Sequence, residues 1–226
     1  MAGNSLRILC LHGYGQNADV FRESLGGFRR FVKHHANCSF LSAPHPLESD
    51  NNLEKAEGRA WWFKKDEKEE IVYRGFEESV LAIEKHVQSC GPFDGILGFS
   101  QGATMVGLLC GLQQQKKLNF DFKFAMLFAG FCSRSQAHQE IYKEQISLPS
   151  LHVFGETDKI IPVEQGEKLA SFFLNPTILR HKGGHHVPSS GTQKDVYRDA
   201  YRQFLDAFAT SSFSDWSSKH LKPSKL

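Results

Sequence analysis

Short apolar runs recur along the chain at Ile8 to Leu11, Cys38 to Leu41, Gly95 to Phe99, Phe124 to Phe128, Ser150 to Phe154 and Thr177 to Leu179. Their length and boundaries predict buried strands. Longer segments with apolar residues at helical spacing lie between them, as in Val80, Ile83 and Val87, or Val196, Tyr197, Tyr201, Phe204, Leu205 and Phe208. Strand and helix therefore alternate. Parallel neighbours require crossover connections, so the pattern predicts an α/β class with a mainly parallel sheet covered by helices on both faces. In such a sheet reactive groups belong at the carboxyl ends of strands.

The pattern breaks between Ala43 and about Val72, a stretch with two prolines, the turn-forming ESDNN at 48–52 and the charged KKDEKEE at 64–70. This region reads as a loop or small hairpin, with the mixed charges on a solvated face. Arg29, Arg30 and Lys33 likewise read as an exposed helix side. After the last helical pattern the residues SSFSDWSSKHLKPSKL read as a polar, flexible tail, so the division expected is one domain over 1–210 and a tail over 211–226.

Composition narrows the function classes. A chain of 226 residues with 40% hydrophobic content can bury one sizeable core. Its 27 basic and 25 acidic residues nearly cancel, which gives no footprint for nucleic acid or an anionic membrane and makes a neutral or small substrate easier to accommodate. The five cysteines show no CxxC spacing and read as reduced thiols; no secretory leader or membrane span is evident, so a soluble, non-secreted protein is expected.

Chemistry concentrates where the third run ends. Gly98-Phe99-Ser100-Gln101-Gly102 is GxSxG at a strand end, ahead of a helical pattern containing Met105, Leu108 and Leu109. This is the setting of a nucleophile elbow, a tight turn that lifts the serine hydroxyl above the sheet where flanking side chains would collide. The helix start also aims the Gln101 backbone N–H at developing negative charge. Serine needs a base, and the base an orienting carboxylate, in the chain order Ser, Asp, His. GETDKIIP supplies Asp158 beyond a strand, with Glu156 as competitor, and HKGGHHVP supplies His185 and His186 beyond the next. His152 is expected in the core and His181 nearer the surface. HExxH and other metal-ligand spacings are lacking, so no metal and no cofactor are expected.

A second oxyanion donor should follow an earlier strand, and LCLHGYGQNA offers the Tyr14 backbone N–H. The same stretch satisfies GxGxxA, the dinucleotide fingerprint, but the next strand runs into SFLSAPHP with no carboxylate to hold a ribose.

Taken together, LHGYGQNA, SAPHP, GRAWWF, FDGILGFSQGA, GETDKIIP and GGHHVP resemble the eukaryotic family of serine hydrolases related to the ovarian-cancer-associated esterase, a branch of the α/β-hydrolases. The resemblance spans roughly 6–208. It implies a carboxylesterase with little or no lid, in which Ser100 is the nucleophile, Asp158 the acid and His185 the base. His186 is a departure that adds a second ring beside the first. An acyl-thioesterase with the same triad and a non-catalytic ligand receptor are the alternatives; a peptidase is weaker, because nothing marks a peptide cleft.

For the substrate site the expected apolar walls are Trp61, Trp62 and Phe63, joined by Phe99, Ile161 and Val187, suited to the apolar, medium-to-long acyl chain of a small-molecule ester. The chain closes with Ser224-Lys225-Leu226, the SKL address. The expected location is the peroxisome, with an import receptor as partner and the cytoplasm as alternative.

Overall fold

The computed structural model describes residues 5–47, 58–67 and 70–209. Strand β1 (Leu6–Leu11) leads into helices α1 (Ala18–Ser24) and α2 (Gly26–Val32), then β2 (Ala36–Leu41). The irregular stretch contains the short pair β3 (His45–Pro46) and β4 (Arg59–Ala60) and the hairpin β5 (Phe63–Glu67) and β6 (Glu70–Arg74). After them come α3 (Phe76–Cys90), β7 (Gly95–Phe99), α4 (Gln101–Gln114), β8 (Phe124–Phe128), β9 (Ser150–Gly155), α5 (Val163–Ala170), β10 (Thr177–His181) and α6 (Lys194–Ala209).

The main sheet runs β10-β9-β8-β7-β1-β2 and every pairing in it is parallel. All six expected strands are present, and the irregular stretch contributes a hairpin, as the sequence suggested. β8 and β9 are buried at every residue, which is why they read as continuous apolar runs. Strand alternation feeds two cores. Phe124, Met126 and Phe128 of β8 pack with Phe28 of α2 and Tyr201 and Phe204 of α6, while Ala125 and Leu127 face Met105, Leu109 and the rest of α4 on the other side. Helices thus cover both faces. None of the described helices is long and apolar enough to cross a membrane.

The order also locates the site. The chain starts at β1, steps outward to β2, then returns to β7 on the opposite flank of β1, so the direction of winding reverses between β1 and β7. Loops leaving the carboxyl ends of these two neighbours diverge and leave a crevice there. The expected tail and Ser224-Lys225-Leu226 lie outside the described residues.

Candidate active site

Ser100 sits at the top of β7 with φ 53° and ψ −118°, a conformation costly for a residue with a side chain, by roughly 1–3 kcal/mol. Its surroundings hold it there. The Ser100 N–H donates to the Phe128 carbonyl at 2.9 Å, and its carbonyl accepts from Thr104 N–H at 3.1 Å. The glycine spacing has a direct steric cause: a Cβ on Gly98 would lie 2.3 Å from the Gly102 carbonyl oxygen, and one on Gly102 2.3 Å from that of Leu11. Gly102 therefore lets α4 press against the end of β1. The serine side chain does not cap α4, which leaves Oγ for another partner.

That partner is His185, whose Nε2 lies 3.0 Å from Ser100 Oγ. Its Nδ1 lies 2.7 Å from Asp158 Oδ2. Because an ionised carboxylate can only accept, Nδ1 carries the proton and Nε2 presents its lone pair to the serine hydroxyl. Asp158 is buried, and its other oxygen, Oδ1, accepts from the N–H groups of Ile160 at 2.8 Å and Ile161 at 2.9 Å. Three hydrogen bonds thus fix the carboxylate. The Phe99 ring packs on His185 with centroids 4.8 Å apart.

The neighbouring candidates stand elsewhere. Glu156 is exposed and joins the end of β10 through its main chain, Glu156 N–H to His181 carbonyl at 2.8 Å. His186 is exposed and faces His181, centroids 4.9 Å apart. His152 is in the core, as expected, but His181 is buried as well, not near the surface, because β10 turns its last side chain under the histidine loop. Burial pushes the His181 ring down to about 4.

The loop after β1 is pinned by a residue the sequence reading passed over. His12 is wholly buried, and burial pushes its ring down to about 4, so it is neutral. Its Nδ1–H donates to the Gly13 carbonyl at 2.7 Å, and its Nε2 accepts from Ala43 N–H at 2.9 Å. Gln16 N–H also donates to that carbonyl, at 3.2 Å. In a trans peptide the C=O and the next N–H point opposite ways, so anchoring the Gly13 oxygen turns the Tyr14 N–H outward. Tyr14 and Gln101 both border the cleft beside Ser100.

Gln101 has a further part that its place in GxSxG did not signal. Its buried side chain accepts from Trp61 N–H at 2.9 Å and donates to the Trp62 carbonyl at 2.8 Å. It thereby clamps the segment between β4 and β5 that carries the aromatic wall. Trp62 borders a cleft of about 290 Å³ together with Tyr73, Phe131 and Ile161, and stacks on Tyr73 with centroids 5.0 Å apart. The other expected wall residues are placed differently. Trp61 is fully buried and donates its indole N–H to the His12 carbonyl at 2.8 Å, which makes it a packing residue. Phe63 is on the exposed hairpin edge beside His45, Phe99 lies behind His185, and Val187 packs against the core under α6. The two tryptophans lie on the irregular link between β4 and β5, and of the two it is Trp62 that borders the cleft.

A larger hollow of about 450 Å³ lies at the far end of α4, between Gln113, Lys116 and Asp121, remote from Ser100. Among the described residues no three His, Cys, Asp or Glu side chains gather to hold a metal ion.

Comparison with known proteins identifies the family. The family model described as serine hydrolase (FSH1) matches residues 1–197. The chain is 41% identical over 215 residues to Esterase CG5412 of Drosophila melanogaster, covering 90% of this chain and 76% of that one. It is 40% identical over 228 residues to Esterase OVCA2 of Homo sapiens, covering 92% and 99%. Among solved structures, a carboxylesterase from Mesorhizobium loti superposes with a TM-score of 0.62 over 90% of each chain at 17% identity, a likeness of fold.

Proposed function

The chain belongs to the FSH1 serine hydrolase family and has an α/β-hydrolase fold, and on that footing we propose that it is a carboxylesterase with Ser100 as nucleophile, His185 as base and Asp158 as its orienting acid. One observation carries the reading: an unbroken hydrogen-bonded path from Ser100 Oγ through both nitrogens of His185 to Asp158, at 3.0 and 2.7 Å. A serine hydroxyl is a weak nucleophile until a base stands on its proton, and the base needs a fixed tautomer.

In the proposed cycle His185 Nε2 takes the Ser100 proton as Oγ attacks the ester carbonyl. Negative charge collects on the former carbonyl oxygen, and the Gln101 and Tyr14 N–H groups stabilise it. His185 then gives its proton to the departing alkoxide, leaving an acyl-enzyme. Water attacks that ester by the same route, with His185 again taking and returning the proton. Asp158 stays ionised and holds the imidazolium.

The acyl group would lie against Trp62, Phe131 and Ile161. A volume of about 290 Å³ is at the small end of ligand pockets, roughly 300–1,000 Å³, and favours an acyl chain of modest length over a long one. The test is covalent labelling by a fluorophosphonate, followed by hydrolysis of oxygen esters and acyl-thioesters graded in chain length. Labelling at Ser100, and loss of both labelling and turnover in a folded Ser100→Ala protein, is the expected result. Undiminished turnover in that variant would refute the assignment. The oxygen-to-sulfur comparison separates esterase from thioesterase.

A further inference from the structure

Ester cleavage by Ser100 does not require cations at the cleft, yet two stand there. Beside the aromatic residues the cleft is bordered by Arg134 and Lys64, and no carboxylate is among its described bordering residues. Lys64 pairs with Asp66 at 3.1 Å in an exposed, solvent-screened bridge. Arg134 is exposed, and among the described residues no acidic side chain pairs with it.

The main chain around Arg134 is nevertheless held at nearly every residue. Phe131 donates its N–H to Thr104 Oγ1 at 3.1 Å and accepts from the same hydroxyl at 2.8 Å. Ser133 Oγ contacts His138 Nδ1 at 2.8 Å and accepts from Ser135 N–H at 3.2 Å. Arg134 N–H donates to the Tyr73 hydroxyl at 3.1 Å. Thr104 lies one turn beyond Ser100 on α4, and Tyr73 stacks on Trp62. Loop 131–135 is therefore fixed both to the helix of the nucleophile and to the cleft wall. A guanidinium is carried to the cleft on rigid backbone and, among the described residues, has no internal counter-ion.

We infer that the cleft selects esters that carry a carboxylate a few carbons from the ester bond, with Arg134 as the specificity-determining contact. The inference rests on the esterase reading. Arginine suits the task because its planar fork donates two parallel hydrogen bonds to a carboxylate, and it does not lose its charge. Lys64 adds to the local field, and a positive mouth speeds the arrival of anionic substrates in a salt-sensitive way.

The experiment places the carboxylate on either side of the ester. 4-Nitrophenyl hydrogen adipate and hydrogen suberate carry it on the acyl side; the octanoate ester of 4-hydroxybenzoate carries it on the leaving group. Each is compared with an uncharged ester of matching length. The ratio of kcat/KM, charged over uncharged, should fall about tenfold in Arg134→Gln on at least one side, and further in Arg134→Glu. In the unaltered protein the same ratio should decline as salt is raised. The side that responds identifies the source of the carboxylate. Both variants keep the backbone N–H that binds Tyr73, so folding is preserved. A ratio unchanged on both sides, with the uncharged esters still hydrolysed, overturns the inference and leaves the esterase reading standing. Failure of the unaltered protein to cleave any of the esters overturns both.

Discussion

Replacing Gln101 by alanine tests whether one buried amide holds the cleft wall in place. The side chain satisfies the Trp61 N–H at 2.9 Å and the Trp62 carbonyl at 2.8 Å, in a region where Trp61 is fully buried. Truncation leaves one buried donor and one buried acceptor unpaired, each costing about 1–3 kcal/mol, so a total loss of about 2–6 kcal/mol is expected. At about 2–4 °C per kcal/mol for a chain of this size, the midpoint of thermal unfolding should drop by roughly 4–24 °C. The Gln101 backbone N–H survives the change, as do the contacts among Ser100, His185 and Asp158, whereas Trp62 loses its tether. Turnover of an octanoate ester should therefore fall more than that of an acetate ester. Circular dichroism melts and paired kcat/KM measurements read both effects. Stability within about 0.5 kcal/mol of the parent, with unchanged chain-length preference, would refute the clamp; that is the usual range for a surface change.

Further outcomes follow from the same geometry. Gly102→Ala should lower stability by about 1–3 kcal/mol and slow fluorophosphonate labelling, because the new Cβ would lie 2.3 Å from the Leu11 oxygen and must push α4 off β1. His185→Ala should reduce kcat/KM by about 10⁴-fold while His186→Ala changes it only a few-fold, and steady-state kinetics that ranked them the other way would move the base along by one residue. Trp61→Ala should act on stability alone, at about 3–5 kcal/mol, whereas Trp62→Ala, which also removes a buried ring, should cost stability and in addition weaken long acyl chains, at about 0.8 kcal/mol per methylene left wet; urea unfolding and a chain-length series separate them. Burial holds His12 at about 4 and His152 at about 3, against 6.5 when free. Between those values the unfolded chain binds more protons, so their stabilising effect is complete above pH 6.5 and is lost as the pH falls toward 4 and 3. Urea midpoints should drop from pH 7 to pH 5, and a flat profile would contradict neutral burial.

What could be read in the chain was whatever local sterics and periodicity encode. β7 and β8 announced themselves as apolar runs with correct bounds, because parallel strands buried on both faces need no polar alternation. The Gly98 position was legible from local sterics, since its Cβ would meet Gly102 four residues on, whereas the collision at Gly102 is with Leu11, far back in the chain, and only the motif signalled it. The features that escaped depend on distant partners. Gln101 meets Trp61 across 40 positions, and His12 meets Ala43 across 31. No periodicity records such pairs. Trp61 and Trp62 looked alike in sequence because hydrophobicity does not reveal which of two neighbours on an irregular segment faces inward. His181 was misjudged because β10 is an edge strand with mostly exposed side chains, and only its last residue is covered.

Helix α4 is buried continuously from Gln101 to Gly111, with no side turned to water, whereas the hairpin over 63–74 meets solvent along Lys64, Lys65 and Asp66. Segments open in order of how little they bury, so the hairpin should exchange its amide hydrogens early and α4 near the global limit. Heat would then reach the two halves of the task at different times. The proposed acyl wall should loosen while Ser100 still stands on an intact helix. On warming, the enzyme should become indiscriminate before it becomes inactive.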